Sequence, residues 1–274
     1  MTAIKPDAID WNGQAGRNWV EAQTLLDRTL KPFEDILAGA VREAGAKRVL
    51  DIGCGVGAVT RAAAREAEQS VGIDIAAPMI EAAKTQAAKE NSSARFILAD
   101  AETYAFEPAS FDLTVSRFGV MFFNNVVAAF ANIRAALRSG GALCWIAWRG
   151  PEENPFMTAA GRAAASVLPD LAPYQPNAPG PFGLADSTRT RALLGEAGWR
   201  DIRIDPIDAD CTLPASALEF YFTRLGPLGR VFAELDPDTQ RRAIDAVRPA
   251  FDPFVQGDDA RYTAKCWRIA ARAP

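Results

Sequence analysis

Residues 49–60 read Val49-Leu50-Asp51-Ile52-Gly53-Cys54-Gly55-Val56-Gly57-Ala58-Val59-Thr60, and their pattern decides the fold. Val49, Leu50 and Ile52 suit a short buried strand. Gly53, Gly55 and Gly57 then recur at every second position, and the helix-forming run Arg61-Ala62-Ala63-Ala64-Arg65-Glu66-Ala67 follows. Strand, glycine turn, helix is how an open α/β sheet makes room for a nucleotide-like ligand. Glycine allows positive φ there and lets the backbone approach the ligand closely.

The spacing narrows the ligand. A dinucleotide turn reads Gly-x-Gly-x-x-Gly, and its pyrophosphate needs bare N–H groups at a helix N-terminus. Here the spacing is Gly-x-Gly-x-Gly, with Asp51 two residues before the first glycine. That carboxylate repels a pyrophosphate and suits a ligand presenting an ammonium or other donors. The stretch resembles the first motif, Asp-x-Gly-x-Gly-x-Gly, of the class I S-adenosylmethionine (SAM) methyltransferases. The resemblance implies a Rossmann-like, doubly wound, mostly parallel seven-stranded sheet, with SAM as cofactor.

Bulk properties exclude several classes. The chain has 274 residues, 34 of them acidic and 30 basic, for a net charge of −4. The isoelectric point near 5.1 argues against a nucleic-acid partner, which leaves a basic footprint. No run of about 18 apolar residues exists, so no membrane span is expected. The opening Met1-Thr2-Ala3-Ile4-Lys5-Pro6-Asp7 lacks the apolar core of a signal peptide. Cys54, Cys144, Cys211 and Cys266 are scattered, as for reduced thiols in a cytoplasmic protein. Histidine is absent, which removes a His-based triad, a His general base and a His-containing zinc site. No clustered acidic motif asks for a magnesium ion, and no metal is expected.

Four regions are expected along the chain. Residues 1–46 form an N-terminal helical cap: 17–45 look helical with a break near Lys31-Pro32, and Gly45 stops the last helix. Residues 47–150 alternate strand and helix. Strands are expected at 48–52, 70–73, 95–99, 111–116 and 142–148, with helices at 58–68, 78–89 and 126–137. Ser139-Gly140-Gly141 is expected to turn tightly into the fifth strand. This rhythm implies a parallel sheet. Residues 151–186 form a lid or insertion crowded by Pro151, Pro155, Pro169, Pro173, Pro176, Pro179 and Pro181. A short helix is expected at 156–167 inside it. Residues 187–274 complete the sheet: a helix at 187–198 with a Ser N-cap, a strand at 201–208, helices over 214–256 and a final strand at 261–271. The last pair resembles the sixth and seventh strands of the SAM methyltransferase fold.

Ligands of open α/β sheets bind outside the carboxyl ends of the strands, where the strand order reverses. Asp74 closes the second strand, placed to accept two ribose hydroxyls or, alternatively, to cap the helix opening at Pro78. Ile75 follows it, and Met79 either packs on an adenine face or fills the core. Asp100, with Ala101 and Glu102, closes the third strand; the resemblance implies contacts with the adenine amino group and ring, and the alternative is a solvated loop acid. Asp51 orders backbone N–H groups or reaches the methionyl ammonium, while Gly53, Cys54, Gly55 and Gly57 line the amino-acid half. Cys54 reads as a packed small residue, not a nucleophile. Ser116 and Arg117 end the fourth strand, and the resemblance implies that this end faces both cofactor and substrate, with Ser116 a candidate for the cofactor and Arg117 for the substrate.

The run Ser116-Arg117-Phe118-Gly119-Val120-Met121-Phe122-Phe123 lacks the Asn/Asp-Pro-Pro-Tyr of nucleic-acid amino-methyltransferases. It resembles the small-molecule branch around the quinone-biosynthesis (type 11) methyltransferases, as does Trp11-Asn12-Gly13-Gln14-Ala15-Gly16-Arg17-Asn18-Trp19. Trp19 covers the cofactor in this reading, or anchors its helix in the core. Phe118, Phe122 and Trp148 are candidate substrate contacts or core, and Arg117 a partner for an anionic acceptor or oxyanion. Phe156, Phe182, Phe220, Tyr221 and Phe222 point to an apolar, ring-containing acceptor, or simply to a lid core. The resemblance implies methyl transfer to a small acceptor by in-line displacement, with no catalytic residue named and the protein a monomer or a homodimer. A SAM-binding protein without methyl transfer, or one of other chemistry, would carry the same binding residues. An NAD-dependent oxidoreductase would need dinucleotide glycine spacing and a proton donor such as a Tyr–Lys pair, and neither is evident.

Overall fold

The structure, a computed structural model, describes residues 9–171, 174–175 and 177–274. The opening residues 1–7, and Pro173 and Pro176 of the proline-rich stretch, lie outside the described residues. Strands β1 (Arg48–Ile52), β2 (Gln69–Asp74), β3 (Arg95–Leu98), β4 (Phe111–Arg117), β5 (Leu137–Trp148), β6 (Arg200–Pro214), β7 (Val255–Gln256) and β8 (Asp259–Arg272) form one sheet. Its order is β3-β2-β1-β4-β5-β8-β6, with the two-residue β7 beside β8. β1 to β5 pair in parallel, and β8 runs antiparallel to both β5 and β6. The strand order therefore reverses between β1 and β4, which places a ligand crevice at their carboxyl ends.

Three helices precede the sheet: α1 (Gln14–Glu21), α2 (Gln23–Thr29) and α3 (Lys31–Ala44). Gly45 ends α3 in the left-handed conformation at φ +57°. Within the sheet, α4 (Ala58–Ala63), α5 (Ala77–Lys89) and α6 (Val126–Ala135) carry the parallel connections β1–β2, β2–β3 and β4–β5. The chain crosses from β3 to β4 without a regular helix. Val49, Leu50, Asp51 and Ile52 are all buried, because β1 is central and covered on both faces. Then come α7 (Pro155–Ala164), α8 (Ser187–Glu196), α9 (Leu218–Arg224), α10 (Gly226–Val231) and α11 (Pro237–Val247). Among the described residues no helix is long and apolar enough to cross a membrane.

Several boundaries differ from the sequence reading, each for a physical reason. α4 stops at Ala63 despite its alanines, since the chain must turn back into β2; tertiary context overrides propensity. The helix at 187 is capped by Asp186, not Ser187: the Asp186 carboxylate accepts from the Thr188 and Arg189 N–H groups. Gly140 and Gly141 lie inside β5 as an irregularity rather than before it, Phe111 pairing Leu137 and Leu113 pairing Ala142. β6 runs six residues past Asp208, to Pro214. Its inward-facing set is Ile202 and Ile204, then Ile207, Ala209, Cys211 and Leu213, so the alternation changes phase at Asp205-Pro206 and hides the continuation. Pro206 is tolerated because β6 is an edge strand, paired only with β8.

The main core follows the sheet. A second apolar cluster joins α7 of the expected lid to α9, α10 and α11, around Phe156, Phe222 and Phe251. A third, small cluster of Val56, Ala76 and Met79 sits at the glycine turn, with Trp11 and Trp19 packed on it.

Candidate functional site

Two turns cross where the strand order reverses. Gly53 has φ +63°, and a Cβ there would stand 2.6 Å from the Gly119 Cα, so the exits of β1 and β4 pass backbone against backbone. Ser116 fastens that crossing. Its buried hydroxyl donates to the Ile52 carbonyl at 2.7 Å and accepts from the Gly119 N–H at 3.1 Å. Both bonds lie within the chain, so Ser116 shapes the turn that joins the two strand exits. Gly57, at φ +81°, is equally fixed, since a Cβ would meet the Phe96 ring at 2.7 Å.

The strand-end carboxylates fall where expected, but their partners differ. Asp51 is buried and accepts from the Thr60 hydroxyl of α4 at 2.6 Å. Burial pushes its pKa up to about 7; the Thr60 bond and Arg117 oppose this, and Asp74 adds to it. Burial, then Asp74 and Asp51, hold the Cys54 pKa well above its ordinary value, which favours the thiol over the thiolate. Asp74 is half-buried and bridges two segments, accepting from Gly55 N–H at 2.7 Å and Ala76 N–H at 2.9 Å. Burial raises its pKa, and these backbone bonds oppose the rise. It does not cap α5. The Ala77 N–H donates instead to Asn12 Oδ1 at 2.9 Å, while the Asn12 amide donates to the Ile75 carbonyl at 3.1 Å. Ile75 itself is 45% exposed beside Asp74.

Asp100 accepts from the Glu102 N–H at 2.8 Å. The Glu102 carboxylate in turn takes the N–H groups of Asn124 and Asn125 at 3.0 and 3.2 Å. Ala101 is buried, its carbonyl accepting from Asn132. Met79 is buried with its sulfur 3.7 Å from the Cβ direction of Gly55. Trp11 meets Trp19 edge-on at 6.1 Å and Phe122 at 5.2 Å. Asn12 was invisible to sequence reasoning. It stands next to Trp11, but no local spacing ties residue 12 to residues 75–77.

The expected substrate contacts divide. Phe118, at φ +67°, stacks on Trp148 at 4.3 Å, and Phe33 of α3 lies edge-on to both. All three rings are buried. A bulky residue in this backbone region carries strain of the kind that concentrates at functional sites. Phe122 belongs with Trp11 instead. Arg117 has internal partners: its guanidinium lies 3.8 Å from Asp27 of α2 and 3.5 Å from the Leu30 carbonyl. Phe156 and Phe222 form the core of the helical insertion, Phe156 stacking on Tyr262 at 3.9 Å. Phe182 packs in the main core. Among the described residues no group of three or more His, Cys, Asp or Glu could hold a metal ion.

Residues 49–141 match the family model described as a methyltransferase domain. Over these residues the chain is similar to class I, SAM-dependent methyltransferase domains. Among curated relatives, the aklanonic acid methyltransferase DauC of Streptomyces sp. (strain C5) is 38% identical over 130 residues, 46% of this chain and 56% of that protein. An uncharacterized protein of Mycobacterium tuberculosis is 26% identical over 153 residues, 56% of this chain and 52% of its own length. The chain thus spans about half the length of the curated relatives it matches. A solved structure of phosphoethanolamine N-methyltransferase 2 from Haemonchus contortus, with phosphomonomethylethanolamine and S-adenosylhomocysteine, superposes with TM-score 0.58. It is 18% identical and covers 98% of this chain and 61% of that one. The YcgJ protein of Bacillus subtilis superposes at 0.56, with 18% identity over 86% of this chain and 97% of that one. These structures place the fold of the methyltransferase domain and its flanking elements.

Proposed function

We propose that the chain transfers a methyl group from SAM to a small, apolar or ring-containing acceptor by in-line displacement. The observation that carries this reading is Ile75. It is a large apolar side chain left 45% exposed next in sequence to the strand-end carboxylate Asp74, which itself holds the Gly55 N–H of the glycine turn, and an adenine face needs an apolar platform beside ribose acceptors. Asp74 has one backbone donor on each oxygen, and a carboxylate has about four acceptor sites, so capacity remains for ribose hydroxyls. Asp100, with Ala101 and Glu102, takes the adenine edge, and Met79 backs the turn. Gly53, Cys54, Gly55 and Gly57, with Asp51 behind them, receive the amino-acid half. Trp19 and Trp11 roof the site.

Bound there, SAM supplies an electrophilic methyl on a sulfonium whose departure leaves a neutral thioether. No general acid is needed, and the residues contribute placement and exclusion of water. Holding reactants in line is worth about 7–11 kcal/mol in well-oriented cases. The Phe33–Phe118–Trp148 wall supplies a dry, rigid face at the neighbouring strand ends. Arg117 acts through Asp27 and the strand end as a positioning residue.

Calorimetric titration with S-adenosylhomocysteine, and with NAD as control, tests the cofactor. Micromolar binding of the first alone is expected; binding of NAD instead would end the reading. Asp74→Ala should weaken S-adenosylhomocysteine binding tenfold or more, since hydrogen bonds to a charged group are worth about 1.5–3 kcal/mol. Unchanged affinity in a folded variant would remove the ribose assignment. Release of S-adenosylhomocysteine on adding hydroxylated aromatic acceptors separates methyl transfer from binding alone.

A further inference from the structure

The helical insertion holds polar side chains that the cofactor reading does not use. Tyr174 lies between α7 and α8, Tyr221 on α9 and Arg230 on α10. The Tyr174 hydroxyl stands 3.5 Å from where a Cβ on Gly226 would sit, in the first turn of α10. Arg230 follows Gly226 by about one helical turn, so the two share a face of α10, and a helical side chain leans back over the preceding turn. Arg230 therefore leans toward the Tyr174 hydroxyl, and the charge of each acts on the other. Tyr221 meets this corner from α9. Its ring lies 5.2 Å from Phe156 and 6.2 Å from Phe251, and it packs on the main core and the insertion cluster alike. Tyr174 adds to the rise of its pKa.

Among the described residues none of these three polar ends has a hydrogen bond or an ion pair, and all three residues keep accessible surface. Arg224, at the end of α9, is by contrast already paired with Glu21 at 3.1 Å. Burial nonetheless pushes the Tyr174 pKa up to about 12, raises that of Tyr221 and lowers that of Arg230. Both phenols are thus proton donors at neutral pH, not bases. The corner is tied to the acceptor side of the strand ends. Tyr174 meets Phe182 edge-on at 5.0 Å, and Phe182 packs in the cluster that holds Phe118 and Trp148. The Gly180 N–H donates to the Met121 carbonyl at 3.0 Å, fastening the same segment beyond β4. Gly229, next to Arg230, takes the amide of Asn18, the neighbour of Trp19. A guanidinium can only donate, and with two phenols it presents donors around one positive charge among aromatic rings. A cation is repelled there, and a wholly apolar group leaves the donors unpaired. A carboxylate takes the planar guanidinium on two oxygens and still has lone pairs for both hydroxyls. We propose that Arg230, Tyr174 and Tyr221 anchor a carboxylate carried by a ring-bearing acceptor, and so select aromatic acids over neutral aromatic molecules. That the bound acid is a methyl acceptor rests on the function proposed above; the preference for a carboxylate does not.

Calorimetric titration of the full chain with 2-naphthoate, and with its neutral counterparts 2-naphthamide and 2-naphthol, tests the site. Wild type should bind 2-naphthoate about tenfold more tightly than 2-naphthamide. Arg230→Gln keeps hydrogen-bond donors and removes the charge. It should lose about that factor for 2-naphthoate and leave 2-naphthamide unchanged. Tyr221→Phe and Tyr174→Phe each remove one hydroxyl and should weaken 2-naphthoate severalfold, with thermal melting as the check on folding. Arg230 is exposed, so its variant decides the matter if a tyrosine variant fails to fold. The proposal is overturned if wild type fails to bind 2-naphthoate, binds 2-naphthamide or 2-naphthol as tightly, or loses nothing on Arg230→Gln. S-adenosylhomocysteine titrated into each folded variant should bind as in wild type; a parallel loss there would mean that Arg230 acts through the tryptophan roof, and the carboxylate role would fall. If S-adenosylhomocysteine does not bind wild type while 2-naphthoate binds and depends on Arg230, the cofactor reading falls and the carboxylate site stands.

Discussion

The buried carboxylate of Asp51 makes the glycine turn sensitive to pH in a direction that can be worked out. Its pKa rises from 3.8 to about 7, chiefly through burial. The folded state therefore holds a proton that the unfolded chain releases, and the stability this contributes is complete below the ordinary value and lost as pH rises through about 7. Asp51→Asn keeps an acceptor for the Thr60 hydroxyl and removes the titration. Unfolding midpoints in denaturant should shift in favour of the variant, relative to wild type, between about pH 5 and about pH 8. A gap that does not change with pH would mean Asp51 ionises as in the unfolded chain. Asp51, Asp74 and Asp100 were legible in the sequence because each stands at a strand end with its neighbours close along the chain. Ser116 was found at its strand end, but its bond to the Ile52 carbonyl was not, since that bond depends on the β1 and β4 exits crossing 64 residues apart. Asp27 was missed altogether: nothing local marks an aspartate in a helical stretch as the half-buried partner of Arg117.

At the scale of elements, α1 ties the sheet to the helical insertion. Its Asn18, 2% exposed, donates to the Arg224 carbonyl at 2.9 Å and to the Gly229 carbonyl at 3.1 Å. These carbonyls belong to α9 and α10, more than 200 positions away. Asn18→Ala would leave both acceptors without that partner in a dry junction, so a loss of about 1–3 kcal/mol in unfolding free energy is expected, along with faster limited proteolysis between α9 and α11. Wild-type stability would show that water replaces the amide there. The parallel core was readable because a 2-residue period and a 3.6-residue period alternate cleanly. The insertion was readable only as helical. Which of its faces meets α1, and that α7 joins it around Phe156, follows from long-range packing that no short window of sequence encodes.

The whole molecule has a main core under the sheet, an apolar cluster in the insertion, and the N-terminal segment bridging them over the glycine turn. Asn12 fastens that segment to Ile75 and Ala77, Trp11 and Trp19 press on Val56, Ala76 and Met79, and Asn18 reaches the insertion. A ligand seated on the turn must share these contacts, so its binding free energy is distributed beyond the residues it touches. At about 100 times its dissociation constant a ligand stabilises the native state by about 2.7 kcal/mol. Part of that should appear as slowed local opening of every segment that closes on it. Hydrogen exchange of the full chain with saturating S-adenosylhomocysteine should therefore slow at residues 53–57 and also at 11–22 and 224–231, while the outer pairing of β6 with β8 near Arg200 and Arg272 exchanges as before. Protection confined to 53–57 would mean the N-terminal segment only rests on the turn. Protection spreading through 11–22 and into the insertion would mean that cofactor, roof and insertion close as one unit, with the acceptor site completed only after the cofactor is in place.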